Sequence, residues 1–186
     1  MKHEVIIAGF GGQGVLTMGM ILCYAGMKEG KEVSWMPSYG PEMRGGTANC
    51  ITIVSDEKIS SPIISKFDSV IVLNQPSLDK FEPAVKPGGN LFYDSTNILN
   101  PPTRTDINIF PIPSSEEANK LGNMKVMNMI MLGALIGVAK IVKDDSIIYG
   151  LKQVLPERYH NLIPLNQQAF EIGKKLAANI TNSVTA

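Results

Sequence analysis

The chain has 186 residues, 44% of them hydrophobic and 18% charged, with seventeen basic against seventeen acidic side chains and no net charge. At roughly 150 residues per domain this is one domain, large enough to bury a core without a disulfide or metal staple. The absent basic excess argues against a nucleic-acid partner. Two cysteines, Cys23 and Cys50, and two histidines, His3 and His160, cannot supply the four ligands of a structural zinc site or a thiolate-bound iron–sulfur cluster.

The chain starts at Glu4-Val-Ile-Ile-Ala-Gly9, an unbroken apolar run of the kind buried on both faces of a parallel sheet. No signal-peptide pattern precedes it, so the expectation is a reduced, cytoplasmic protein in which both cysteines are small buried hydrophobes. A glycine cluster follows, then a helix over Val15–Gly30 with Val15, Met18, Ile21, Leu22 and Ala25 on one face. Glu32–Met36 is the second strand, ended by Pro37, and the unit strand, turn, helix, strand reads as βαβ with its strands side by side.

Further strands are expected at Thr47–Val54, Asp68–Leu73, Asn90–Asp94 after a Pro87-Gly88-Gly89 turn, and Ile107–Phe110. Ser77 reads as a helix cap, and Ser114-Ser115-Glu116-Glu117 as a capped helix start. Met124–Val142 is a nearly all-apolar buried helix, whose Gly133 and Gly137 share a side open to another backbone. Met124, Met127 and Met131 form a stripe that reads first as core filler. Its longest apolar stretch, Met129 to Ala139, is about half of a membrane span. A polar helix over Asp144–Leu155 and an amphipathic one over Leu165–Asn179 complete the chain, with Thr181–Ala186 frayed. The sum is a single α/β, Rossmann-like domain over residues 1–186, with a mostly parallel sheet and helices on both faces.

Two segments carry candidate chemistry. Gly9-Phe10-Gly11-Gly12-Gln13-Gly14 fits G-x-G-x-x-G between a strand and a helix, where backbone amides and the positive helix end can meet a phosphate. As a dinucleotide motif it lacks the ribose-binding acid, because Trp35-Met36-Pro37 stands at the end of the second strand. A ligand-free tight turn, a phosphate-bearing ligand and a subunit contact all stay open on this ground alone. The second segment, Ser38-Tyr39-Gly40-Pro41-Glu42-Met43-Arg44-Gly45-Gly46, leaves the same sheet edge and offers Arg44 as a fork for phosphate or carboxylate. The candidate ligand or partner contacts are therefore Gly11, Gly12, Gln13, Gly14, Tyr39, Gly40, Glu42, Arg44, Gly45 and Gly46. No catalytic nucleophile–base pair and no metal ligand set is read from the sequence.

Together, Ile7–Val15 and Pro37–Cys50 resemble the gamma subunits of the 2-oxoacid:ferredoxin oxidoreductases. The resemblance continues through Ser60–Ile63, Leu73–Leu78, Asn128–Gly137 and Asn166–Phe170. The wording Tyr-Gly-Pro-Glu-Met-Arg-Gly-Gly-Thr-Ala-Asn-Cys is most similar to the 2-oxoglutarate and branched-chain members. The resemblance implies a thiamine-dependent oxidative decarboxylation, in which a 2-oxoacid, coenzyme A and oxidised ferredoxin give acyl-CoA, carbon dioxide and reduced ferredoxin. It implies alpha, beta and ferredoxin-like delta partner subunits, which would hold thiamine diphosphate, Mg2+ and iron–sulfur clusters. This chain would be inactive alone and would line the coenzyme A side, with no membrane or nucleic-acid partner. The competing reading is a free-standing nucleotide-binding module or a small NAD-dependent dehydrogenase.

Overall fold

In the computed structural model, residues 1–38 and 47–184 are described. Six strands form one sheet: β1 (Lys2–Phe10), β2 (Glu32–Ser38), β3 (Thr47–Ser55), β4 (Phe67–Val72), β5 (Val85–Asp94) and β6 (Asn108–Ile112). Their order is β2-β3-β1-β4-β5-β6. β1, β4, β5 and β6 run parallel, and β3 is antiparallel to both β1 and β2.

One expectation is overturned here. β1 and β2 are not neighbours, because β3 doubles back between them: Lys2–Phe10 pairs with Thr47–Ser55, and β2 pairs only with β3. The physical basis is the close hydrophobic match of β3, whose Cys50 and Val54 pack beneath the first helix on the same face as Val5 and Ile7. β2 is displaced to the sheet edge, where Pro37 is tolerated inside the strand instead of ending it.

Helices α1 (Val15–Lys28), α3 (Ser114–Lys120), α4 (Met127–Ala139), α5 (Asp144–Val154) and α6 (Ile163–Val184) pack on one face. The other face, built on Ile6, Ala8, Val70, Val72 and Leu91, is covered by the short α2 (Gln75–Phe81) and by loop residues such as Ile64 and Ile98. Strand alternation sorts the side chains: Val5 and Ile7 face the first layer, Ile6 and Ala8 the second.

α4 is buried over most of its surface, and it lies against α6 at backbone contact. A Cβ added to Gly133 would fall 2.0 Å from the Phe170 carbonyl oxygen, and one on Gly173 would fall 1.8 Å from that of Ile130. The open side expected at Gly133 and Gly137 is therefore where α6 docks. Of the methionine stripe, Met127 and Met131 are core, whereas Met124 is exposed in a 3-10 turn that precedes α4.

Several local boundaries differ from expectation. Asn74, not Ser77, caps α2, its side chain accepting from the Ser77 amide at 2.8 Å. Ser114 and Ser115 make no cap for α3; both are buried, and Ser115 bonds to Asp94. Pro87-Gly88-Gly89 is not a turn before β5 but a bulge within it: Phe67 and Ser69 of β4 pair with Val85 and Asn90. α6 runs on to Val184, so Thr181 lies inside a helix and not in a frayed tail. No helix among the described residues is long and apolar enough to cross a membrane.

Candidate functional site

β1 ends at Phe10, and the chain turns through Gly11-Gly12-Gln13-Gly14 into α1. Gly12 and Gly14 have φ values of +90° and +76°, a region that side chains with a Cβ rarely enter, so the sharp turn needs glycine at these two places. Gly14 is the N-cap of α1 without any side-chain cap. Gln13 supplies the order instead. Its Oε1 accepts from the Phe10 amide at 2.6 Å, its amide donates to Phe10 O at 3.3 Å, and its Nε2 reaches Leu73 O at 3.5 Å. The Gln13 side chain is thus spent within the turn.

Among the described residues, the N–H groups of Gly11, Gly12, Gly14, Val15 and Leu16 donate to no other group, as expected for a helix start without a cap. These donors and the positive end of a fourteen-residue helix make an anion-facing surface. It lies at the point where the chain leaves β1 for α1 on one face and β4 for α2 on the other, the crevice at which open α/β sheets hold ligands.

Two clefts flank the turn and share Gly12. One, of about 280 Å3, is walled by Phe10, Val15, Leu16, Thr17 and Ala48; the other, of about 200 Å3, by Asn97, Ser115, Met124, Lys125 and Met127. Larger hollows exist, one of about 650 Å3 beside β6 and α6, but none of them touches the glycine turn.

The second candidate segment leaves from the same edge. β2 ends at Ser38 and β3 begins at Thr47, which is in register with Phe10, the residue just before Gly11. Both ends of the segment are therefore held near the turn, even though β2 itself is a strand farther away than expected. Tyr39, Gly40, Glu42, Arg44, Gly45 and Gly46 lie outside the described residues.

Sequence reasoning missed a ring of buried polar groups at this edge. Asp94, at the end of β5, is fully buried and accepts from Ser115 Oγ at 2.5 Å, Asn97 Nδ2 at 2.7 Å, and the Thr96 and Ser115 amides at 3.3 Å each. Asn128, in the first turn of α4, is 7% exposed and packs its Nδ2 end over Gly14, while its Oδ1 has no partner among the described residues. The only trace of this ring in the sequence is polar residues interrupting apolar runs, as at Asp94 and Asn128.

Burial pushes the Cys23 and Cys50 thiols up to about 12, so both stay protonated and poor as nucleophiles or ligands. Among the described residues no three His, Cys, Asp or Glu side chains are placed to hold a metal ion. The topology also disfavours a dinucleotide. The position that would carry the ribose acid, at the end of β2, is separated from the glycine turn by β3.

The fold and site define an α/β domain with a glycine turn and an uncapped helix start at the carboxyl edge of a mixed sheet. Residues 4–176 match the family model described as pyruvate ferredoxin/flavodoxin oxidoreductase, and the chain belongs to that family. It is 37% identical over 174 residues to the ketoisovalerate oxidoreductase subunit VorA of Methanothermobacter thermautotrophicus, covering 94% of this chain but 36% of VorA. The chain thus spans about a third of that relative's length. Against the 2-oxoglutarate synthase subunit KorC of Methanocaldococcus jannaschii it is 31% identical, covering 95% of this chain and 96% of KorC. Its fold matches the gamma subunit of a keto/oxoacid ferredoxin oxidoreductase from Geobacter sulfurreducens with TM-score 0.82 and 27% identity, over 95% of this chain and 99% of that one. It also matches 31% of a chain of the 2-oxoglutarate:ferredoxin oxidoreductase from Magnetococcus marinus, solved with 2-oxoglutarate, coenzyme A and succinyl-CoA bound. That match has TM-score 0.86 and 25% identity and covers 96% of this chain. The gamma-subunit resemblance read from the motifs is borne out.

Proposed function

We propose that this chain is the gamma component of a 2-oxoacid:ferredoxin oxidoreductase, and that its glycine turn and Arg44 loop bind coenzyme A. The observation that carries the reading is the set of amides at Gly11, Gly12, Gly14, Val15 and Leu16 without a partner among the described residues, set at the ligand crevice of the sheet and beside both roots of the Arg44 segment. Of the participants in the reaction, coenzyme A is the one rich in phosphate. Gly12, Gly14 and Val15 would hold its pyrophosphate, and Arg44 would add one permanent positive charge. The family's oxidative decarboxylation releases carbon dioxide and electrons and joins the acyl group to the coenzyme A sulfur. In that scheme this chain holds and orients the acceptor thiol.

Thiamine diphosphate, Mg2+ and iron–sulfur clusters supply the carbon–carbon cleavage and electron chemistry. Among the described residues both cysteines are buried and protonated, which does not fit an iron–sulfur cluster, and no three His, Cys, Asp or Glu side chains are placed for a metal ion; we assign these groups, with thiamine diphosphate, to alpha, beta and delta partners. Partner contact is supported by side chains that a lone domain would cover, among them Ile63 at 77% and Leu99 at 83% exposure on the thinly covered face. For the substrate we favour 2-oxoglutarate. The support is the motif wording and the end-to-end match to KorC, against a match to one third of VorA.

The test is tagged purification from the native host, followed by assay of thiamine diphosphate, iron and activity with 2-oxoglutarate, ketoisovalerate and pyruvate. The reading expects co-purifying subunits that carry both cofactors, while the chain purified alone is colourless and inactive. A catalytically competent lone chain, or a complex without thiamine diphosphate, would overturn it. In the complex, Arg44→Ala should raise the KM for coenzyme A about tenfold or more and leave that for the 2-oxoacid nearly unchanged.

A further inference from the structure

The sheet has two flanks, β2 on one side and β6 on the other, and each carries a proline inside its strand. A flanking strand shows a row of N–H and C=O groups to whatever lies beside it, so another chain can add itself as a further strand. The direction in which the nitrogens of Pro37 and Pro111 point decides how open these flanks are.

The ladders fix that direction. Along a strand, one residue aims its N–H and C=O at one neighbour and the next residue aims both at the other side. Ile112 O accepts from Ser95 N at 3.0 Å, so Ile112 bonds toward β5. The register is unbroken from Asn108 to Ile112, so Asn108 and Phe110 also face β5, while Ile109 and Pro111 face outward. On the other flank, Asp56 N donates to Met1 O at 2.8 Å, beside the Lys2–Ser55 pair. Counted in twos from there, Val54, Thr52 and Cys50 bond to β1, and Ser55, Ile53, Ile51 and Asn49 bond to β2. Ala8 O, which accepts from Leu73 N at 3.0 Å, faces β4 as this count requires. The β2 partners are Glu32, Ser34, Met36 and Ser38, which leaves Val33, Trp35 and Pro37 facing outward.

Both prolines thus take the place of an N–H on the open side, and neither removes a bond from the sheet. The further proline among the described strands, Pro87, sits where the β4–β5 register shifts. Among the residues of β6, Ile109 alone keeps an outward N–H. We propose that Pro37 and Pro111 close the two flanks against strand addition, so that neither a second copy nor an extended segment of a partner continues this sheet. Pro111 is the more important of the two. The hollow of about 650 Å3 beside β6 is walled by Ile107, Ile109, Phe110, Val138 and Ile180, apolar surface that favours an added chain. A strand laid against β6 meets the proline ring where its own carbonyl needs a donor. This inference is independent of the coenzyme A reading.

The experiment is sedimentation of the full chain at rising concentration, comparing the wild type with Pro111→Val. Valine restores the outward N–H and suits a strand, so two copies can pair β6 to β6 about a two-fold axis. Each copy then gains a backbone bond, and self-association should tighten by about tenfold or more relative to the wild type. In the associated variant, hydrogen exchange at the Ile109 amide should slow. Equal association of the two proteins would overturn the proposal. So would association of the variant with Ile109 exchanging as in the wild type, because the copies would then meet elsewhere. Thermal melts guard against a misfolded variant: position 111 gives no bond to β5, so Pro111→Val should melt no lower than the wild type. A large drop in its midpoint would place the Pro111 nitrogen inward and overturn the reading as well.

Discussion

The two edges of the sheet are built from similar residue types and left in opposite states. At the amino edge, Glu4 is buried and paired with Lys2 and Lys86. Lys86 also bonds Asp68 at 2.7 Å, Asp68 accepts from the Glu4 amide at 2.8 Å, and His3 bonds Ser69 at 2.9 Å. The β5 bulge carries Lys86 to these acids. At the carboxyl edge, five amides, the Lys125 ammonium and the Asn128 carbonyl have no partner among the described residues. Leaving a buried polar group unpaired costs about 1–3 kcal/mol, and among these side chains Asn128 is the buried one, whereas Gly11, Gly12 and Lys125 are open to water. The paired edge holds the sheet together; the unpaired edge is the proposed binding edge.

The contrast can be broken at its scaffold first. α4, which carries Asn128, is fixed by its backbone contact with α6, and Gly173→Ala drives a methyl group onto the Ile130 carbonyl. The expected loss is about 3 kcal/mol of stability, read as a lowered midpoint in denaturant melts. Serine at Lys125 should shift the same midpoint by less than about 0.5 kcal/mol.

Next in size is Lys86→Met. It leaves Asp68 without its cation and Glu4 with Lys2 alone, and should cost about 1–2 kcal/mol, discounted because Lys86 is partly exposed. Coenzyme A affinity should be unchanged, because the network is at the far edge from the glycine turn. A large affinity change would mean that the two edges are coupled.

The smallest effect is a pH dependence that belongs to the amino edge alone. Burial lowers the pKa of His3, with Asp68 and Glu4 acting against it and Lys86 with it, so the neutral ring stabilises the fold above its ordinary value of 6.5. That contribution is lost as pH falls from 6.5 through the lowered native value. Burial raises the pKa of Glu4, but its bonds to Lys2 and Lys86 outweigh this and leave it below 4.5. Its contribution is present above 4.5 and disappears at still lower pH. Thermal melts of His3→Gln should lose the decline that begins as pH falls below 6.5 and keep the one that begins below 4.5. An unchanged profile would show that His3 carries none of it.

Much of this was legible in the sequence because the cues were local. The Glu4–Gly9 run, the glycine turn and the apolar α4 each announced themselves through composition and period. Strand order did not, since the insertion of β3 between β1 and β2 is decided by long-range pairing, from Phe10 with Thr47 to Lys2 with Ser55. Pro37 and Pro87 read as breaks because a proline ends most strands, yet one sits on an edge strand and the other in a bulge. Ser115 has the chemistry of a cap and is used elsewhere, because the buried Asp94 competes for its hydroxyl. The glycine turn stood out as a candidate from its motif; Asn97 and Asn128 did not, because they adjoin it only after α3 and α4 fold back over the sheet.

The most direct test of the central claim is amide hydrogen exchange on the assembled complex with and without coenzyme A. If the carboxyl edge is the binding edge, coenzyme A should slow exchange in peptides spanning Phe10–Thr17 by at least tenfold and leave those spanning Lys2–Glu4 and Lys86–Asn90 unchanged. Equal exchange at Phe10–Thr17 in the two states, with coenzyme A bound at saturation, would contradict it.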